Sequence, residues 1–174
     1  GNEEWNMTYP GRGYPQGLSV QQTTDGGYIV VGTQGVSAIK TYSNGSTQWE
    51  RTYSSGGADE DSRIVRQTSD GGYIILAAAE FWGYGIGSAR APWLLKVDEN
   101  GNPQWNRTFF SRENYIDNIL NSIQQTSDGG YVLAGTSNRS AIYSGNTGRG
   151  WLLKLNSDGG TQWSITYSAA DWSY

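Results

Sequence analysis

Ser122-Ile123-Gln124-Gln125-Thr126-Ser127-Asp128-Gly129-Gly130-Tyr131-Val132-Leu133-Ala134-Gly135-Thr136 is one of three copies of a single passage. The others are Ser19-Val20-Gln21-Gln22-Thr23-Thr24-Asp25-Gly26-Gly27-Tyr28-Ile29-Val30-Val31-Gly32-Thr33 and, with more substitutions, Arg63-Ile64-Val65-Arg66-Gln67-Thr68-Ser69-Asp70-Gly71-Gly72-Tyr73-Ile74-Ile75-Leu76-Ala77. Each reads as a polar-edged strand, an Asp-Gly-Gly turn and an apolar strand. The glycines enter φ > 0 without a Cβ penalty, so each copy specifies a β-hairpin.

A second recurring unit follows each hairpin. It runs from Trp151 to Tyr167 around Asp158-Gly159, from Trp93 to Phe109 around Asn100-Gly101, and, degenerate, from Ser37 to Tyr53 around Asn44-Gly45. It is a second hairpin, so the repeat has four strands. Strands are expected near 18–23, 28–33, 37–42 and 47–53; 63–68, 73–78, 92–97 and 104–109; 121–126, 131–136, 150–155 and 162–167. The repeats then span about 18–53, 63–109 and 121–167, with a tail at 168–174, in one domain. The turns within hairpins barely vary in length. Variation falls on Ala79–Pro92, on Ser137–Gly150 and on the connectors Pro10–Gly17, Ser54–Ser62 and Ser111–Asn121. One edge of each sheet is therefore elaborated.

Residues 4–9 (Glu4-Trp5-Asn6-Met7-Thr8-Tyr9) repeat the Trp-x-x-Thr-aromatic ending of the units with no hairpin before them. They are expected to form an extra outer strand. Its Trp5, Met7 and Tyr9 would share one side by period-two alternation. Trp5, Trp49, Trp105 and Trp163 are 44, 56 and 58 residues apart, the spacing of blades, solenoids or arrays. A Trp fixed in each sheet is expected to pack between neighbouring sheets.

Four strands per unit and a sheet-to-sheet Trp point to an all-β, propeller-like array of three four-stranded antiparallel blades plus the N-terminal outer strand. Gln-Gln-Thr-Ser-Asp-Gly-Gly-Tyr (124–131) with Trp-Leu-Leu-Lys-Leu-Asn-x-x-Gly-x-x-Gln-Trp (151–163) resembles the blade repeats of secreted and cell-surface propeller proteins of archaea and bacteria. Lys96 to Trp105 is also similar to the tryptophan-docking motif of quinoprotein propellers. The resemblance implies the fold and an extracytoplasmic setting; it carries over no catalytic residue and no cofactor.

The 174 residues include 25 Gly, 8 Trp and 12 Tyr, a composition suited to many short strands and tight turns. Net charge is −4, with no Lys/Arg run to follow a phosphate backbone, so nucleic acid is not an expected partner. There is no cysteine for disulfides or thiolate metal sites, and no histidine, the commonest general base. No apolar run is long enough to span a bilayer as a helix. The start at Gly1-Asn2-Glu3 instead of Met reads as a processed or trimmed product.

Asp25, Asp70 and Asp128 offer oxygen donors of the kind calcium needs, but a turn Asp before Gly-Gly is accounted for by bonding to nearby backbone N–H groups. No metal site is assigned. Asp59-Glu60-Asp61 is an acidic cluster in a connector, read as a solvated charge run. Trp82 and Tyr84 fall in the glycine-interrupted loop Phe81–Gly87, where aromatics either cap the blade core or stack on sugar rings. Asn6, Asn44, Asn106 and Asn138 begin Asn-x-Ser/Thr glycosylation sequons.

The reading that follows is a non-enzymatic extracellular or cell-surface structural protein, glycosylated, that self-associates through its N-terminal strand into a filament or ring. Three units and one orphan strand fall short of a closed propeller within one chain. The alternative is a lectin-like module binding glycans through Trp82 and Tyr84.

Overall fold

The computed structural model describes residues 1–9, 16–33, 35–82, 88–109, 118–137 and 148–167, which hold twelve strands and no helix. The first sheet contains β1 (Gly17–Gln22), β2 (Tyr28–Gly32), β3 (Val36–Thr41) and β4 (Thr47–Tyr53). The second contains β5 (Ala58–Gln67), β6 (Tyr73–Trp82), β7 (Ser88–Val97) and β8 (Pro103–Thr108). The third contains β9 (Asn118–Gln125), β10 (Tyr131–Ser137), β11 (Arg149–Leu155) and β12 (Thr161–Tyr167). Each is an antiparallel meander with strands side by side in chain order.

The six turns inside these hairpins share one backbone design. In the first, Gly26 N donates to Thr23 O and Thr23 N to Gly27 O, each at 2.9 Å; Thr68 and Thr126 anchor the corresponding turns. Gly26, Gly45, Gly71, Gly101, Gly129 and Gly159 hold φ between 78 and 84°. One left-handed residue after a tight turn fixes hairpin register, and only glycine enters that region freely. The second glycine of each Asp-Gly-Gly has a different reason, which corrects the expectation that both need φ > 0. A Cβ at Gly27, Gly72 or Gly130 would collide with the carbonyl of Thr41, Val97 or Leu155. It would also lie 2.7, 2.6 or 2.5 Å from Nζ of Lys40, Lys96 or Lys154.

The sheets stack face to face with the second in the middle. Ile29, Val31, Val36 and Ala38 of the first meet Val65, Tyr73, Ile75 and Leu95 of the second. From its other face, Ile74, Leu76 and Leu94 meet Ile123, Tyr131, Leu133 and Leu153 of the third. Successive strand residues point to opposite faces, so Tyr73–Ala79 and Ala91–Val97, covered on both sides, are buried without a break. The outer sheets are covered on one side. Along β2, Ile29 and Val31 are buried while Tyr28 and Val30 are half-buried; along β10, Tyr131 and Leu133 are buried while Val132 and Ala134 are half-buried.

Three expectations are corrected. The stretch Ala79–Pro92 is largely strand: β6 and β7 continue through the pairs Glu80↔Arg90, Phe81↔Ala89 and Trp82↔Ser88. The small side chains of Ala77–Ala79 let the pair extend, and the Gly punctuation begins only at Gly83. Asp59-Glu60-Asp61 lies in β5 and not in a connector. Residues 4–9 form no strand. They lie against the first sheet at Tyr28 and the β3–β4 turn, held by a ring contact of Trp5 and the Tyr9–Gly45 hydrogen bond in place of a backbone ladder.

The two glycines of one turn separate conformation from space. Gly71→Ala, at φ 84°, should cost about 1–2 kcal/mol, the usual left-handed penalty. Gly72→Ala should cost more, about 3 kcal/mol, because its Cβ overlaps the Val97 carbonyl. A urea titration of both variants checks the order.

Candidate functional site

The repeat builds two kinds of junction, one charged and one aromatic, and leaves two apolar faces. The first junction is a lysine buried behind each Asp-Gly-Gly turn. Lys40, Lys96 and Lys154 project from β3, β7 and β11 with almost no exposed surface, and their ammonium groups lie 2.8, 2.9 and 2.9 Å from carboxylate oxygens of Asp25, Asp70 and Asp128. Each also donates to a backbone carbonyl, that of Thr41, Val97 or Leu155, at 2.8, 3.0 and 3.0 Å. Lys96 reaches Gln104 Oε1 as well, at 2.9 Å. The same carboxylates accept from the hydroxyls of Thr23, Thr68 and Thr126 and from the amides of Gly27, Gly72 and Gly130.

These contacts hold the three carboxyls below the usual range. For Asp25 and Asp128 the lysine bond is the leading cause, followed by the threonine hydroxyl. For Asp70 burial pulls upward, and the Thr68 and Lys96 bonds outweigh it. The turn aspartates thus bond to backbone N–H, as the sequence predicts, and each is also paired with a buried lysine of the third strand. Lys-x-Asn/Asp ahead of the second turn recurs in the sequence (Lys96-Val97-Asp98, Lys154-Leu155-Asn156); nothing in it says that the ammonium folds back across β2.

The second junction is aromatic. The ring of Trp49 in β4 meets Tyr73 of the second sheet edge-on at 5.9 Å, and Trp105 in β8 meets Tyr131 of the third at 5.8 Å. Their indole N–H groups donate to Glu99 O (2.9 Å) and Ser157 O (3.1 Å), and the rings lie against Gly101 and Gly159, where a Cβ would come within 3.1 and 2.8 Å. Tyr53 OH closes the first of these by donating to Gly101 O at 2.7 Å. Burial here lifts the hydroxyls of Tyr53, Tyr73 and Tyr131 to about 12. On the inner side, Gln67 Oε1 accepts from Thr24 N (2.9 Å) and Gln125 Oε1 from Ser69 N (2.8 Å), tying each sheet to the one before it.

At the two end faces the corresponding positions are exposed. On β12, Trp163, Ile165 and Tyr167 repeat the Trp49-x-Arg51-x-Tyr53 and Trp105-x-Arg107-x-Phe109 sides, and all three are exposed, Trp163 at 42%. On β1, Val20 is 61% exposed, whereas its counterparts Val65 and Ile123 are 0% and 3% exposed. Leu18 is exposed beside it.

Asn6, Asn44 and Asn106 are exposed. Asn44 Oδ1 accepts from Ser46 N and Oγ at the β3–β4 turn, and Asn106 Oδ1 accepts from Trp93 Nε1. Asn138 and Tyr84 lie outside the described residues. Trp82 ends β6, and its side chain also lies outside what is described. Trp5, Met7 and Tyr9 are placed against the first sheet. Glu60 is turned inward, accepting from Ser55 N (2.6 Å), Ser55 Oγ and Gly57 N (3.2 Å); Asp61 pairs with Arg90 at 3.4 Å. Among the described residues no three Asp or Glu side chains gather around a point where a metal ion would sit.

No protein-family model matches the chain, and no curated protein matches it. Among solved structures it is similar to the crystal structure of a protein of unknown function from Bacteroides caccae, with a TM-score of 0.50 and 14% identity over 95% of this chain. The chain spans 65% of that structure's length. At this identity the likeness is one of fold.

The lysine junctions make acid the sensitive direction. An Asp with a depressed folded-state pKa adds stability that is present above the unfolded value, about 3.9, and is lost as pH falls through the folded one. Thermal midpoints should therefore hold between about pH 5 and 8 and drop below about pH 4. Asp70→Asn should destabilise more than Lys96→Met, because the first strands a buried ammonium and the second frees a half-exposed carboxylate to water. Calorimetry across pH with both variants measures this.

Proposed function

We propose that this chain is a non-enzymatic structural protein of the extracellular space or cell surface, a β-propeller-type array that assembles by docking its end sheets head to tail. The observation that carries this reading is the exposed β12 face. Trp163, Ile165 and Tyr167 present the side-chain pattern that Trp49 and Trp105 bring to the two internal junctions, and the opposite end presents Val20, whose internal counterparts Val65 and Ile123 are covered, with Leu18 exposed beside it. Apolar faces that recur in this way mark surfaces for association. A contact between unlike ends is heterologous: it gives a ring if the rotation closes and a filament if it does not. Docking of whole faces takes the place of strand donation by residues 4–9, which lie against their own first sheet.

The non-enzymatic part rests on how the carboxylates are used. A chain without His or Cys would draw on Asp, Glu, Tyr or Lys, or on a metal, for acid–base work. Asp25, Asp70, Asp128 and Glu60 are engaged by buried lysines, hydroxyls and turn amides.

Sedimentation velocity should show the full chain associating as concentration rises through the micromolar range, the regime of transient interfaces. Trp163→Glu should abolish that rise while leaving the circular dichroism unchanged. A chain that stays monomeric to about 100 μM counts against the assembly reading.

The extracellular setting predicts glycans on exposed sequons. Asn44 and Asn106 are both exposed, one in a turn and one on the outer strand β8. Intact mass of the native protein should exceed the bare polypeptide by glycan increments that Asn44→Gln and Asn106→Gln each reduce; an unmodified mass dismisses this part.

A further inference from the structure

Residues 1–9 sit on the first sheet as the outer strand of a preceding sheet would. The Trp5 ring meets Tyr28 at 5.6 Å, beside 5.9 and 5.8 Å for Trp49–Tyr73 and Trp105–Tyr131. A Cβ on Gly45 would lie 2.7 Å from the Trp5 ring and 3.0 Å from Met7, the contact that Gly101 and Gly159 make with Trp49 and Trp105. Tyr9 OH donates to Gly45 O at 2.7 Å, as Tyr53 OH does to Gly101 O. The imitation is incomplete. The segment has no ladder, Trp5 lacks the indole bond that Trp49 and Trp105 make, and Leu18 and Val20 stay uncovered.

The inner edge is also matched and open. Across each internal junction a glutamine of the later sheet accepts from the residue after Thr in the earlier sheet's turn: Gln67 from Thr24 N and Gln125 from Ser69 N. By repeat position the next such pair is Gln22, exposed on the first sheet, and the amide of Ser127 on the third. The third sheet therefore offers Trp163 and Ser127 N at the places where the first offers Tyr28 with Gly45 and Gln22.

We propose that the outer face of the first sheet, Leu18, Val20, Gln22, Tyr28 and Gly45, is the acceptor for β12 and the Ser127 turn of a second copy of this chain, and that residues 1–9 cap the aromatic corner of that acceptor. Partner identity rests on the head-to-tail reading above and is argued from continuity: the incoming face reproduces both internal junctions at both edges. One indole fits against Tyr28 and Gly45, so Trp5 and an incoming Trp163 exclude each other. A cap that is mostly closed lowers apparent affinity by the fraction of time it is open. Removing its grip strengthens assembly, whereas a donated strand would weaken it.

The test separates the ends. A donor chain carries Val20→Glu, which spoils its own acceptor. Two acceptor chains carry Trp163→Glu, one with residues 1–9 intact and one with Trp5→Ala and Tyr9→Phe. All are checked for native circular dichroism, and a variant of residues 1–9 that fails to fold is replaced by deletion of 1–9. Donor and acceptor are titrated by sedimentation velocity. The uncapped acceptor should bind the donor at least about tenfold more tightly than the capped one, a coupling of ordinary allosteric size. Equal binding by both acceptors overturns the cap and leaves head-to-tail assembly standing. Binding by neither, at about 100 μM and with all chains folded, overturns the acceptor and the assembly reading together.

Discussion

Each sheet is apolar on both faces, and a strand cannot hide one set of side chains without turning the other outward. The middle sheet meets this constraint with neighbours on both sides, and its central strands are buried from Tyr73 to Ala79 and from Ala91 to Val97. The outer sheets meet it on one side only. What the end faces expose, Val20 at one and Trp163 at the other, follows from that geometry and not from any local peculiarity of those residues. The proposed head-to-tail assembly starts from the same observation, since the end faces leave exposed the positions that are covered at the internal junctions.

Stacking of this kind needs the sheets held in register at their ends, and the turns do it. The lysine of the third strand reaches across the second to the Asp of the first turn, closing each sheet at one edge with a charged bond that is buried on the ammonium side and wet on the carboxylate side. That asymmetry makes the pair tolerable: the carboxylate keeps part of its hydration while the ammonium is bonded to carboxylate and backbone carbonyl together. At the other edge of each junction, a tryptophan packs against the next sheet's turn glycine. The same turn thus needs glycine for its φ and for the absence of a side chain under the indole.

Much of the fold was legible because the repeat states it three times. Asp-Gly-Gly and Asn-Gly fix hairpins through local backbone preference, and twelve strands fall close to where alternation places them. The misreadings come where local signals compete. Ala79–Pro92 is broken by Gly83, Gly85 and Gly87 and reads as a loop, yet Ala79–Trp82 pairs with Ser88–Ala91. Trp5-x-Met7-x-Tyr9 has the pattern of an outer strand, but a strand exists only beside a partner, and this segment found a face instead of an edge.

The sequence by itself determined the hairpins, the four-stranded unit and the tryptophan at each junction, since these depend on residues near one another in the chain. Only the tertiary structure decided which face of each sheet is covered, where the lysine ammonium goes and why the second glycine is a glycine. Those depend on the distance between atoms far apart in sequence, such as Gly72 and the Val97 carbonyl, or Trp49 and Gly101. Repetition tells how one unit is made; the exposure of Val20 beside the burial of Val65 and Ile123 depends on where each unit stands in the stack.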